Sequence, residues 1–333
     1  MNLRRIPAPW TDLPAPVEGL PGLDAAQLAL QAPDLHLADA AGRGRASLWW
    51  SDVPAWPGHR LGVIGHFAAA DPETTRALLD AACAELAARG RTLAVGPMDG
   101  NTWRSYRFMT DDCGYPRFAL EPWNPVAWPA WWNASGFAPF QTYQSALEAR
   151  MASADPRLPE LERKLGAAGV TMRPLDLGDF DGELARIFEI SESAFAANVL
   201  YTPLPREEFL AMYARVKPYA HPRLVWLAEQ ATDSVPRPVG PRPVGFVFCV
   251  PDLLQAQAGQ QPDTLIVKTL AKVPDRGLGG LGKLLLANVQ REAQALGFTK
   301  AIHALMHDAN RSATMGEDAT VIRRYTLYSR ALA

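Results

Sequence analysis

The chain has 333 residues, 48% of them hydrophobic and 20% charged, with a formal net charge of −2 and no basic block. It is long enough for two domains with sizeable cores, and it lacks the concentrated positive footprint that a nucleic-acid groove needs. No apolar run approaches the ~20 residues of a membrane span, the opening MNLRRIPAPW has no apolar segment of a secretion signal, and Cys83, Cys113 and Cys249 are odd in number and far apart, so the composition implies a reduced cytoplasmic protein with buried thiols.

A Pro-rich segment runs to about Gly22, and Leu23–Leu30 reads as a helix. Ala46–Trp50 and Arg60–Ala68 read as strands across the turn Pro54–Gly58. The next helix is well punctuated: Asp71 is its N-cap, Pro72 its first position, Leu78, Leu79, Ala82 and Leu86 its apolar face, and Gly90 its stop. Strands are expected at Thr92–Val95, Arg117–Leu120 and Thr142–Ala146, with a short helix at Ala127–Asn133. Nine of the ten tryptophans lie in this half, where core and turn packing accounts for them better than a ligand groove does.

Met151–Glu160 contains Pro and Asp and reads as a linker. The expected division is 1–150, a linker over 151–165, and a second domain over 166–333. The second half repeats the order of elements. A strand at Val170–Arg173 precedes helices at Phe180–Ala197 and Pro205–Lys217, and Leu224–Ala228 and Val244–Val250 read as paired strands. Between them PRPVG occurs twice, at Pro236–Gly240 and Pro241–Gly245, which predicts a lengthened exposed loop. A strand at Leu265–Ala271 then enters a glycine cluster and a helix over Lys283–Leu296, with Leu281, Leu285, Val289 and Leu296 on one stripe and Gly297 as the stop. Strands at Lys300–Met306 and Ile322–Ser329, around the turn Asp308–Asn310, close the chain. The repeated order predicts a diverged internal duplication.

The glycine cluster has a chemical meaning. The first N–H groups of a helix lack partners within it, and the helix dipole favours negative charge there. Glycine lets a phosphate approach those amides. A Walker loop would place Ser or Thr after the lysine, whereas Leu284 follows Lys283. A dinucleotide fold would place its glycines after the first strand of the domain; here they come late.

With Pro274 just before the cluster, Gly280-Leu281-Gly282 at the helix start and Asn310 beyond the next strand, Lys268–Leu296 resembles the signature of the GNAT superfamily of acyl-CoA N-acyltransferases. The departures are Gly277 where Arg or Gln is usual, with Arg276 one residue early, and Lys272 in the usual valine position. The whole chain looks like tandem bacterial GNAT proteins. The resemblance implies an α/β (α+β) fold of two GNAT-like domains, each a mixed, mostly antiparallel sheet flanked by helices. The first lacks a phosphate loop, since Asp71 and Glu73 stand where pyrophosphate would sit.

The resemblance also implies an acetyl-CoA-dependent N-acetyltransferase acting on a small-molecule or peptide amine, with no metal, nucleic acid or membrane involved. The pantetheine arm would pair with Leu270, Ala271 and Lys272. The pyrophosphate would lie on Gly277, Leu278, Gly279, Gly280, Leu281, Gly282 and Lys283, with Asn310 and Ser312 as further cofactor contacts. The tyrosine that members often carry after the asparagine is missing, which leaves His307, Tyr325 and Tyr328 as catalytic candidates and Asn198, Tyr201 and Asp252 as substrate contacts. The alternatives are an acyl-CoA-binding protein without turnover and a longer-acyl or aminoacyl transferase.

Overall fold

A computed structural model describes residues 2–10, 13, 19, 22–23, 25–151, 155–231, 240–309 and 319–333. The first half holds β1 (Leu3–Ile6), α1 (Ala25–Gln31), β2 (Leu35–Asp39), β3 (Gly44–Trp49), β4 (Leu61–Ala69), α2 (Pro72–Ala88), β5 (Leu93–Gly96), β6 (Phe108–Asp111), α3 (Trp128–Ala134) and β7 (Ala138–Glu148). The second holds α4 (Leu158–Ala167), β8 (Val170–Pro174), α5 (Phe180–Phe195), α6 (Arg206–Ala214), β9 (Val225–Gln230), β10 (Arg242–Pro251), α7 (Leu253–Gln257), β11 (Thr264–Lys272), α8 (Leu281–Ala295), β12 (Lys300–His307) and β13 (Thr320–Ala331). The mixed, mostly antiparallel sheet flanked by helices that the sequence implies is the one observed.

The strands form one continuous sheet in the order β1-β2-β3-β4-β5-β13-β7-β12-β11-β10-β9-β8, with β6 beside β13. The terminal strands of the two halves are exchanged. β7 of the first half pairs with β12 of the second, and β13, the end of the chain, pairs with β5 of the first. The exchanged strands also pair with each other along nearly their whole length. The only parallel pairs among the described residues are β4 with β5 and β11 with β12.

Each half places a helix at the equivalent position. α2 starts as its sequence dictates: the Asp71 carboxylate accepts from the Thr74 amide at 2.7 Å, and Leu78, Leu79, Ala82 and Leu86 are buried against the sheet. α8 buries Leu281, Leu285 and Val289 completely. Trp128 and Trp132 pack edge-on against Phe67 and Phe108, the core role expected of most of the tryptophans.

Several expectations are corrected. Arg117–Leu120 forms no strand. Its backbone is held by side chains, with Ala119 N–H donating to Asp252 at 2.9 Å and Phe118 buried, and the strand of this region is β6 instead. The stretch read as a linker carries α4 from Leu158, with Pro159 in its first turn. Arg242–Gly245 of the second PRPVG copy lie in β10 rather than in an exposed loop; a Cβ on Gly245 would come within 3.0 Å of Leu281 on α8. Residues 236–239 of the first copy lie outside the described residues. Cys83 and Cys249 are buried, but Cys113 is exposed. No helix among the described residues is long and apolar enough to cross a membrane.

The exchange makes the first half depend on the last strand. A chain truncated before Thr320 is expected to lose the cooperative unfolding of its first half, read from tryptophan fluorescence. A truncated chain that keeps a wild-type transition would contradict the pairing of β13 with β5.

Candidate functional site

β11 and β12 are parallel neighbours only from Thr264–Val267 against Lys300–His303. Beyond that they part. β11 carries an extra residue against β10, because Cys249 opposes Val267 and Phe248 opposes Thr269, leaving Lys268 in the bulge. β12 carries an extra residue against β7 between His303 and Met306, where Leu305 has φ +63°. The Ser145 hydroxyl accepts from the Leu305 amide at 2.9 Å and lies 3.1 Å from the Tyr325 hydroxyl, which fixes this second bulge from beneath. The opening between the strands is a cleft of about 680 Å³.

The cleft is lined from both halves. Thr102–Arg107, Leu120–Pro122 and Tyr143 come from the first, and Asn198, Tyr201, Val267–Leu270 and His303–His307 from the second. Arg107 is 5% exposed, and its guanidinium sits 4.1 Å from the ring centres of both Tyr106 and Tyr143. Lys268 donates to the Leu120 carbonyl at 3.3 Å; burial, with Arg107 nearby, brings its ammonium down to about 8. His303 Nε2 lies 3.1 Å from Glu148 Oε2, which also accepts from Gln290 at 2.8 Å. Its Nδ1 makes no hydrogen bond among the described residues.

His307 also lines the cleft, but both ring nitrogens are taken. Nδ1 accepts from the Ala309 amide at 3.1 Å, so the Nε2–H donates to Gln141 at 2.9 Å. Tyr325 is completely buried below the cleft, where it positions the Leu305 bulge. Tyr328 packs against Phe108 and Trp132 in the core of the first half, placed there by the exchange of β13. Of the three candidates, only His307 reaches the cleft. Asn198 and Tyr201 line it, whereas Asp252 is buried and caps α7 through the Leu254 amide at 3.2 Å.

The acyl-CoA expected from the sequence has two features here to fit. Lys268–Lys272 of β11, which includes Leu270, Ala271 and Lys272, is paired with β10 on one side and with no strand among the described residues on the other, so an extended arm has an edge to join. The strand leads directly into the start of α8, where Gly280 has φ +94° and the amides of Gly280, Leu281 and Gly282 have no backbone partner among the described residues. These fit a pyrophosphate.

The remaining loop is occupied by the chain itself. The Asp275 carboxylate accepts from the Gly277 amide at 2.7 Å, and Leu278 and Gly279 donate back to Asp275 and Arg276 carbonyls. Lys283 pairs with Asp155 at 3.4 Å. Leu161 of α4 lies so close to Gly280 that a Cβ there would come within 2.5 Å of it. The cradle is therefore narrower than the Gly277–Lys283 span expected. Asn310 and Ser312 lie outside the described residues.

Arg107, Tyr106, Tyr143 and the His303–Glu148 pair carry no local signal, because long chain separations and the strand exchange bring them together. Lys268 had a signal, as the one charge inside the apolar run LIVKTLA.

No protein-family model matches the chain. It is 30% identical over 201 residues to a bacterial ceramide synthase of Caulobacter vibrioides, covering 59% of this chain and 52% of the relative; the chain thus spans about half the length of that protein. Among solved structures it is similar to a GCN5-related N-acetyltransferase from Sphaerobacter thermophilus, with 14% identity, 90% of this chain and 80% of that one covered, and a TM-score of 0.47. It is similar also to a tandem GNAT protein from the clavulanic acid biosynthesis pathway, with 11% identity, 100% and 99% covered, and a TM-score of 0.47.

The depressed Lys268 pKa has a stability consequence. The unfolded chain binds more protons between about pH 8 and the ordinary lysine value, so the cost of holding this ammonium is full below pH 8 and fades as pH rises above it. Lys268→Met is expected to stabilise the protein by about 1–3 kcal/mol at pH 7 and by progressively less toward pH 10. Urea midpoints of the two proteins across that range check it.

Proposed function

We propose that the chain is an acyl-CoA-dependent N-acyltransferase whose reaction takes place in the cleft between β11 and β12. The observation that carries this reading is the continuity of an unpaired strand edge, Lys268–Lys272, with the open amides at the start of α8. One stretch of chain thus offers a pairing edge for an extended pantetheine arm and donors for its pyrophosphate. The bound co-substrate supplies an acyl thioester, and the acceptor is a small-molecule amine.

His303 is the group best placed to take the proton of the attacking amine. Glu148 holds its Nε2, which leaves Nδ1 as the free acceptor of a residue that lines the cleft. An alkylamine with a pKa near 10.4 is neutral only about once in 10³ molecules at pH 7, so a positioned base is useful. The N–C bond forms, the C–S bond breaks, and the amine proton passes to sulfur by way of His303.

An acyl group longer than acetyl is favoured by a second, apolar pocket. Leu175, Phe180, Leu184, Ile187, Phe209, Phe246 and Phe248 line it, and it shares Trp103, Phe195, Tyr213 and Thr269 with the cleft. The pocket has about 60 Å³ free, room for the first few carbons of a hydrocarbon chain, and its apolar lining suits them better than a polar group. The similarity to a protein named ceramide synthase points the same way, since a ceramide is a long-chain amide.

Calorimetric titration with acetyl-CoA and palmitoyl-CoA tests the reading. Both are expected to bind at one site, palmitoyl-CoA more tightly. Gly279→Asp is the informative variant: a Cβ there meets only ordinary contacts, at 3.6 Å and beyond, and φ is −61°. It is expected to fold and to weaken binding at least tenfold by placing a carboxylate at the phosphate site. Absence of binding to the wild type would sink the proposal. His303→Gln is expected to lower kcat by about 10²–10⁴ while leaving the affinity for acyl-CoA unchanged, as followed by thiol release.

A further inference from the structure

Among the described residues, two cations of the cleft, Arg107 and Lys268, have no anionic partner. Arg107 is 5% exposed, yet its Nε has no hydrogen-bond partner, and its Nη1 reaches only the Leu305 carbonyl at 3.5 Å. Lys268 has only the Leu120 carbonyl. Neither makes an ion pair among the described residues. Glu121, which also lines the cleft, is committed to Arg323 at 2.9 Å in a pair whose side chains are 2% and 1% exposed.

Burying an arginine without a counter-charge costs several kcal/mol. Contact with the Tyr106, Tyr143 and Tyr325 rings offsets part of that cost. A site that keeps such a group, with a free face of its planar fork, is built to receive an anion.

We propose that Arg107 and Lys268 together form a binding site for an anionic group, a carboxylate or a phosphate, carried by the acceptor amine. The phosphates of a CoA bound at α8 are not that group. Lys268 lies four residues up β11 from Lys272, roughly 13 Å along the strand and farther still from the glycine loop. Arg107 holds the anion through its fork, and the Tyr106 and Tyr143 rings, each centred 4.1 Å from the guanidinium, restrict how that fork can turn. The acceptor is therefore an amino acid or an aminoalkyl phosphate rather than a simple amine. This inference rests on the acyltransferase reading for the word acceptor, but the anion site itself does not.

The test uses the full chain, without CoA, and two matched pairs of probes: β-alanine against propylamine, and O-phosphoethanolamine against ethanolamine. Calorimetry is expected to show one acid-bearing probe binding at least tenfold more tightly than its twin without the acid group, and which one does so identifies the anion. Arg107→Gln is expected to bring that ratio near one, Arg107→Lys to restore part of it, and Lys268→Met to reduce it; thermal unfolding confirms that the variants are folded. Equal binding of both twins by the wild type, or a preference that survives Arg107→Gln, would overturn the inference. Titrating the same samples with acetyl-CoA separates the two proposals. Anion preference without CoA binding contradicts the acyltransferase reading alone, and CoA binding without anion preference contradicts the anion site alone.

Discussion

The site exists because two parallel strands stop pairing. β11 and β12 share four register positions and then diverge, each carrying one extra residue at the point of departure. A bulge turns a strand away from its neighbour and re-aims its side chains. The two here act together: one projects Lys268 toward the opening, and the other, at Leu305, is pinned by Ser145 and Tyr325 from the exchanged strands. Arg107 enters from the first half into the space that results. Without the exchange of β7 and β13 the pinning pair Ser145 and Tyr325 would not be present.

The first half shows what the same divergence becomes when it is filled. β4 and β5 are parallel over Leu61–Val63 and Leu93–Val95 and then part in the same manner. There the loop after β5 closes the notch. Met98 donates to the Ile64 carbonyl at 2.8 Å, Asp99 accepts from the His66 amide at 2.7 Å, and a Cβ on Gly65 would lie 2.1 Å from the Met98 carbonyl. Asp71 supplies the carboxylate at the start of α2 that an external phosphate would otherwise provide. A buried network of His36, Ser47 and His66 replaces the open cleft, and burial drives the His36 and His66 imidazoles down to about 4 and 3, so both are neutral. One half is closed by its own side chains; the other keeps its amides and cations facing outward.

Local physics made much of this legible in the sequence. Asp71-Pro72 and the Leu78–Leu86 stripe mark α2, and the order strand, glycine cluster, helix marks β11 to α8, because caps and periodicity are properties of adjacent residues. What adjacent residues do not encode was missed. β1 and β2 lie in a Pro-rich, short-strand context, and the irregular Arg117–Leu120 is held by Asp252 and by contacts with β13 rather than by a ladder. The catalytic candidates suffered most. Tyr325 and Tyr328 alternate along a strand whose neighbours come from the other half, so their surroundings depend on pairing at a separation of about two hundred residues. His303 carries no local signal, and its partner Glu148 is set beside it by the exchanged β7.

The central claim is that the open edge of β11 and the start of α8 bind one ligand together. Hydrogen–deuterium exchange with and without palmitoyl-CoA tests it most directly. The account predicts slowed exchange in peptides covering residues 268–283 and none in those covering residues 61–100, where the notch is already closed. Protection confined to the first half, or no protection at either notch, would contradict it.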